Sequence, residues 1–145
     1  MRILVISQYF PPDGGGGSKR VANAITGLSK LGHQVEVVTG FPHYPHGIIP
    51  SRYHRKVYSQ EIWKGVPITR VWLPALAHTG FLRRLVMYIA FALSALIALL
   101  FTSTPDIIWA ANSNVFSSFP AIIFSLVKRA PVIRNVDDLW PETAI

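Results

Sequence analysis

The chain has 145 residues, half of them hydrophobic and 14% charged, with 14 Lys and Arg against 7 Asp and Glu for a formal charge of +7. A chain this apolar is excluded from intrinsic disorder, and its length suits one domain of about 100 to 200 residues. The absence of cysteine excludes a disulfide scaffold, thiolate metal ligation and cysteine nucleophily, and the apolar run before Ser7 is too short for a secretory signal.

Residues 2–7 are a β-branched and Leu run without alternation, which predicts a strand buried on both faces. Pro11, Pro12 and the four glycines at 14–17 then break the chain, and Ser18 is the expected N-cap of a helix running to about Leu31. On that helix Val21, Ile25, Leu28 and Leu31 recur at helical spacing, and Gly32 supplies the stop. Residues 35–39 predict a second buried strand, so the opening 40 residues read as one βαβ unit of a parallel sheet. A Pro, His and aromatic loop follows at 41–47. Residues 57–63 and 67–73, flanking Lys64-Gly65-Val66, read as a β-hairpin inserted into the simple repeat. Residues 82–101 predict a helix, 106–110 a third buried strand, 116–128 a helix interrupted by Pro120, and 131–136 a fourth buried strand. Asp137-Asp138-Leu139-Trp140-Pro141-Glu142 opens a further helix. The expected class is α/β, a Rossmann-like parallel sheet with helices on both faces and an inserted hairpin, and the missing final helix points to a fragment of a longer protein.

Chemistry is expected at the carboxyl edge of that sheet, where open α/β folds bind ligands. The glycine run lies between strand one and helix one, where backbone N–H groups and the helix N-terminus make an anion site. It fits neither specific motif: the third dinucleotide-fingerprint position is Lys19, and the run ends Gly17-Ser18-Lys19 rather than Gly-Lys-Ser/Thr. Asp137 and Asp138 follow the fourth strand directly, where a carboxylate can accept sugar hydroxyls, take a proton from one, or cap a helix. His43 and His46 share the loop after strand two and lack a third metal ligand at informative spacing, so no metal is expected.

Charge and hydropathy point to a surface partner. Residues 1–136 hold 14 basic against 4 acidic groups, and Arg52, Arg55, Lys56, Lys64, Arg70, Arg83 and Arg84 face only Glu61 in their stretch, which reads as a cationic surface. Residues 85–101 carry Ser94 as their one conventional polar group, directly after Arg83 and Arg84. A spanning helix would divide strands that must share a sheet. The segment therefore reads as buried all round or as docked in a membrane interface, with Leu96 among the contact residues.

Together, Ile6-Ser7-Gln8-Tyr9-Phe10-Pro11-Pro12-Asp13 with its four glycines, Gly32-His33, Val38-Thr39-Gly40-Phe41-Pro42, the Arg-Arg apolar helix and Asp138-Leu139-Trp140-Pro141-Glu142 resemble the N-terminal domain of GT4-type retaining glycosyltransferases of the surface-polysaccharide kind. The resemblance implies half of a GT-B fold, two Rossmann-like domains facing a cleft, with the acceptor on this domain and the nucleotide-sugar donor on a C-terminal domain outside the chain. It implies that Gly15, Gly16 and Gly17 face the donor diphosphate and sugar, that Asp138 is catalytic, and that His43, His46, Asp137 and Glu142 lie on the acceptor side. Asp137 stands where the family often has Arg. The family's Glu-x7-Glu signature has no counterpart here, so the chain alone is expected to be inactive. No metal or other cofactor is expected. The expected partners are a nucleotide-sugar, a lipid-linked or saccharide acceptor and an anionic membrane on the cytoplasmic side, with no nucleic acid. A Rossmann-like oxidoreductase domain and a non-catalytic basic lipid- or nucleic-acid-binding module are the alternative readings.

Overall fold

A computed structural model describes residues 1–76, 80–111 and 115–136, the side chain of Ser117 aside. In chain order the elements are β1 (Arg2–Ser7), α1 (Gly16–Lys30), β2 (Gln34–Gly40), a 3-10 turn at Ser51–Tyr53, β3 (Tyr58–Trp63), β4 (Val66–Val71), α2 (Phe81–Leu99), β5 (Ile107–Ala110), α3 (Val115–Lys128) and β6 (Val132–Arg134). The strands form one sheet in the order β3-β4-β2-β1-β5-β6, parallel except for β3 at the edge. Val5 on the central strand lies opposite Val37 of β2 and Trp109 of β5. The chain builds outward from β1 to β2 and β4, then returns to lay β5 on the other side. That reversal opens a crevice at the carboxyl ends of β1 and β5.

β1 is buried on both faces as its composition predicts. Leu4 and Ile6 join Val38, Met87, Phe91, Ile108 and Phe124 under α2 and α3, while Ile3 and Val5 join Val21, Ile25, Val37 and Ile68 under α1. Full burial of each such side chain contributes about 1.5–3 kcal/mol, so the central strand anchors both layers. Trp63 of β3 packs edge-on against Phe10 and ties the sheet edge to the second layer.

The structure refines one detail of the sequence reading and differs from two. The expected hairpin is present as β3 and β4, and the structure adds that β4 joins the main sheet as a parallel strand, with Val37 opposite Ile68. The turn has two residues, Lys64 and Gly65, at φ 49° and 83°, a geometry that follows the twist of the flanking strands. Helix α1 starts at Gly16 with Gly15 as N-cap, so Ser18 lies buried in the first turn rather than capping it. Finally, α3 runs through Pro120, which has no N–H to give the Phe116 carbonyl its i→i−4 bond, and the helix continues to Lys128.

Helix α2 packs over β2, β4 and α3. It is long and apolar enough to cross a membrane by length and composition, yet a third of its apolar window is buried and its flanking strands share one sheet, so it lies along the fold. The outward stripe is Leu82, Val86, Ile89, Leu93 and Ile97, and the neighbouring α3 likewise exposes Val115, Phe119, Ile122 and Leu126. Leu96 is half-buried beside the stripe. The helix is therefore neither buried all round nor polar outside.

Candidate functional site

Two loops meet at the carboxyl edge. The first, residues 8–15, leaves β1, and the second, residues 41–57, leaves β2. Gly40 stands where they diverge: a side chain there would run into Leu73 and come within 3.0 Å of the Gln8 carbonyl, so the close approach of the strand ends demands glycine. Arg70, at the end of β4 and 1% exposed, ties the edge together. Its guanidinium donates to the carbonyl of Pro11 on the first loop, to the carbonyl of Gly40 at 3.4 Å, and to the carboxylate of Glu61 on β3. Tyr53 donates to the other Glu61 oxygen at 3.1 Å. Burial works to raise the Glu61 carboxyl, but the hydrogen bond and charge of Arg70 outweigh it and hold the group below its ordinary value. The sequence reading counted Arg70 in a cationic surface; the structure makes it a buried brace.

Asp13 provides the second tie. It is 5% exposed, and its Oδ1 accepts the backbone N–H of His43 and of Tyr44, each at 2.8 Å. His43 is buried, and its Nδ1 lies 2.7 Å from the Phe41 carbonyl. A carbonyl only accepts, so Nδ1 carries a proton and donates it to Phe41. Tyr9 lies beneath, its ring centroid 5.4 Å from His43 and 5.7 Å from Tyr44. Burial first, then Tyr88, Asp13 and Tyr44, push the Tyr9 phenol far above its ordinary range against the opposing charge of Arg84, so Tyr9 stays protonated. Pro12, Asp13, Pro42, His43, Tyr44, His46, Ile48 and Pro50 line a cleft of about 350 Å³ between the loops.

The glycine run opens beside this cleft. Gly15 adopts φ 91°, a conformation that favours glycine, and the Cβ it lacks would only meet the Tyr44 ring at an ordinary 3.4 Å contact. Gly16 and Gly17 have no such structural demand: a Cβ at either position meets nothing within 4 Å. No side chain caps α1, no acid occupies its first turn, and Lys19 and Arg20 follow. The first-turn N–H groups have no acceptor within the helix. Ser18, 1% exposed, adds a buried hydroxyl with no partner among the described residues. This is an array of donors suited to an anion.

A family model described as a glycosyl transferase 4-like domain matches residues 15–144. The chain belongs to that family. No curated protein matches it. In this glycosyltransferase 4-like domain the structure brings Gly15, Gly16 and Gly17 to the same edge as His43 and His46, with His43 buried and His46 exposed on the cleft wall. Arg83 is exposed and Arg84 half-buried at the start of α2, where Arg84 acts on the phenols of Tyr9 and Tyr88. Asp137, Asp138 and Glu142 lie outside the described residues. Among the described residues no three His, Asp or Glu side chains converge as metal ligands would. The sequence reading gave Asp13, Arg70 and Tyr9 no role at the site. Asp13 hides in a Pro-Pro-Asp-Gly turn signature, while Arg70, a lone charge in an otherwise uncharged strand, carried a signal that could have been read as a buried brace.

Proposed function

We propose that this glycosyltransferase domain is the acceptor side of a retaining enzyme that moves a sugar from a nucleotide-sugar to a lipid-linked or polysaccharide-precursor acceptor on the cytoplasmic face of a membrane. The observation that carries the reading is the adjacency of two chemically opposite sites at one sheet edge. The start of α1 offers N–H and hydroxyl donors for the donor diphosphate, and the neighbouring cleft offers acceptors for a hydroxylated substrate. Gly16 and Gly17 leave the space in which the diphosphate and reacting sugar approach the backbone. In a retaining, front-face reaction the leaving diphosphate assists the incoming hydroxyl, so first-turn donors that stabilise its charge lower the barrier. Helix dipole and basic side chains neutralise the phosphates without a metal. Asp138, Asp137 and Glu142 belong to the acceptor side by resemblance. The exposed apolar stripe of α2 and α3, with Arg83 and Arg84 at the α2 start, supports membrane contact.

Calorimetric titration of the chain with UDP and GDP tests the reading. Weak saturable binding is expected, and Gly16→Val should abolish it without changing the melting temperature, because a side chain there touches nothing in the fold. A dissociation constant near 1 μM, about −8 kcal/mol, would put most donor contacts on this domain and overturn the division between two domains. Membrane contact is tested in the same preparation by flotation with anionic vesicles, where Leu93→Glu should release the chain at every salt concentration and Arg83→Ser only at low salt.

A further inference from the structure

We propose that Asp13 serves two purposes: one carboxylate oxygen pins the loops together, and the other receives a hydroxyl of a saccharide acceptor lying in the cleft between them. The proposal rests on reading this edge as the acceptor side and names the group that recognises the acceptor. Asp13 Oδ1 is fully used by the N–H groups of His43 and Tyr44. Oδ2 of the same carboxylate is buried and has no partner among the described residues, on a residue that lines the cleft. A buried carboxylate oxygen left without a donor is costly, so a site that holds one in place is built for a ligand that donates to it.

The walls say which ligand. Pro12, Pro42, Ile48, Pro50 and the Tyr44 ring are apolar and suit the C–H faces of a pyranose. The carboxylate of Asp13 beside them is an acceptor that favours hydroxyl donors and repels phosphate. The neighbouring α1 start has the opposite character. Hydroxyls and phosphates are thereby sorted to two places a few residues apart. The volume, about 350 Å³, falls in the range of about 300–1,000 Å³ usual for small-molecule sites.

Replacement of Asp13 by Asn separates the two purposes. The amide oxygen of Asn can still accept both loop N–H groups, while its NH2 turns the Oδ2 position from acceptor to donor. In the isotopically labelled full chain, titration with the methyl glycosides of glucose, galactose, mannose and N-acetylglucosamine should move the amide signals of His43 and Tyr44 saturably. It should also move the Asp13 carboxyl carbon signal. In Asp13→Asn the glycoside affinity should fall at least tenfold with the melting temperature kept, whereas Asp13→Ala should lose both. If glycosides shift His46 and Tyr44 while Asp13→Asn binds like the parent, or while the parent's carboxyl signal stays still, Asp13 is only a clamp and the proposal fails with the acceptor reading intact. If no glycoside moves any signal of the cleft, the proposal and the acceptor reading fail together.

Discussion

The two edges of the sheet carry similar inventories and use them differently. At the amino edge, a concavity of about 440 Å³ is lined by Arg2, Ser29, His33, Gln34, Glu36 and Ser103 among others. At the carboxyl edge the cleft is smaller, about 350 Å³. Among the described residues each edge has one Arg–carboxylate pair. Arg2 and Asp106 meet at 3.6 Å with about half of each side chain exposed, whereas Arg70 and Glu61 pair with Arg70 1% exposed and the carbonyls of Pro11 and Gly40 on the same guanidinium. Glu36 at the amino edge is satisfied by Ser103, through its N–H at 3.3 Å and its hydroxyl at 3.0 Å. The carboxyl edge instead buries Asp13 and Ser18, each with an oxygen unsatisfied among the described residues. Volume does not mark the site. Buried polar atoms held in place and left open do.

The sharpest way to break this comparison is to remove the brace. Arg70→Met leaves the partly exposed Glu61 carboxylate with Tyr53 alone and the Pro11 and Gly40 carbonyls without their donor, so denaturant unfolding should show a loss of about 1–3 kcal/mol. Removing Glu61 as well should recover part of that loss, because the stranded charge goes with it. A smaller effect is expected in acid. Arg70 holds the Glu61 carboxyl below its ordinary value of 4.5, so the pair contributes stability that is present above about pH 4.5 and lost as pH falls through the lowered folded value. Melting curves of Glu61→Gln against pH should therefore lack that part of the acid decline, and an unchanged decline would show that the pair contributes nothing. The smallest effect belongs to the amino edge. Asp106 sits below its ordinary value, chiefly through the hydrogen bond from the Arg2 backbone N–H, which Asn can also accept, so Asp106→Asn should leave the melting temperature at physiological salt within experimental error. A loss there as large as that of Arg70→Met would erase the distinction between the edges.

Much of the architecture was legible because burial on both faces leaves an unmistakable residue pattern. Runs such as Ile3-Leu4-Val5-Ile6 and Val35-Glu36-Val37-Val38 have few other homes than a covered parallel sheet, and their spacing around α1 dictates the crossover. Pairing partners were less legible. Whether β4 stands apart or joins β2 depends on contacts about 30 residues distant, which local pattern does not encode. The carboxyl edge was readable as a place, since strands end and glycines begin there, but its individual groups were not. A charge run reads as solvated until the fold folds one member inward, as with Arg70, and Asp13 reads as a turn residue until the second loop arrives to meet it. The polar outer stripe expected of a covering helix is absent from α2, as its composition indicated. Which leucines face outward depended on helical phase: Leu93 faces out and Leu96 lies to the side.

The double tie of Asp13 and Arg70 also has a kinetic meaning. Two long irregular loops would ordinarily wander, and a substrate arriving between them would have to bear the entropy of ordering both. Here one carboxylate oxygen fixes the backbone of the second loop and one guanidinium fixes the carbonyl of the first, so the ordering is completed when the chain folds. On the proposed acceptor reading, a substrate would meet loops already tied to each other. Any closing movement in the working enzyme would then fall to whatever faces this edge, because the edge itself has already been set.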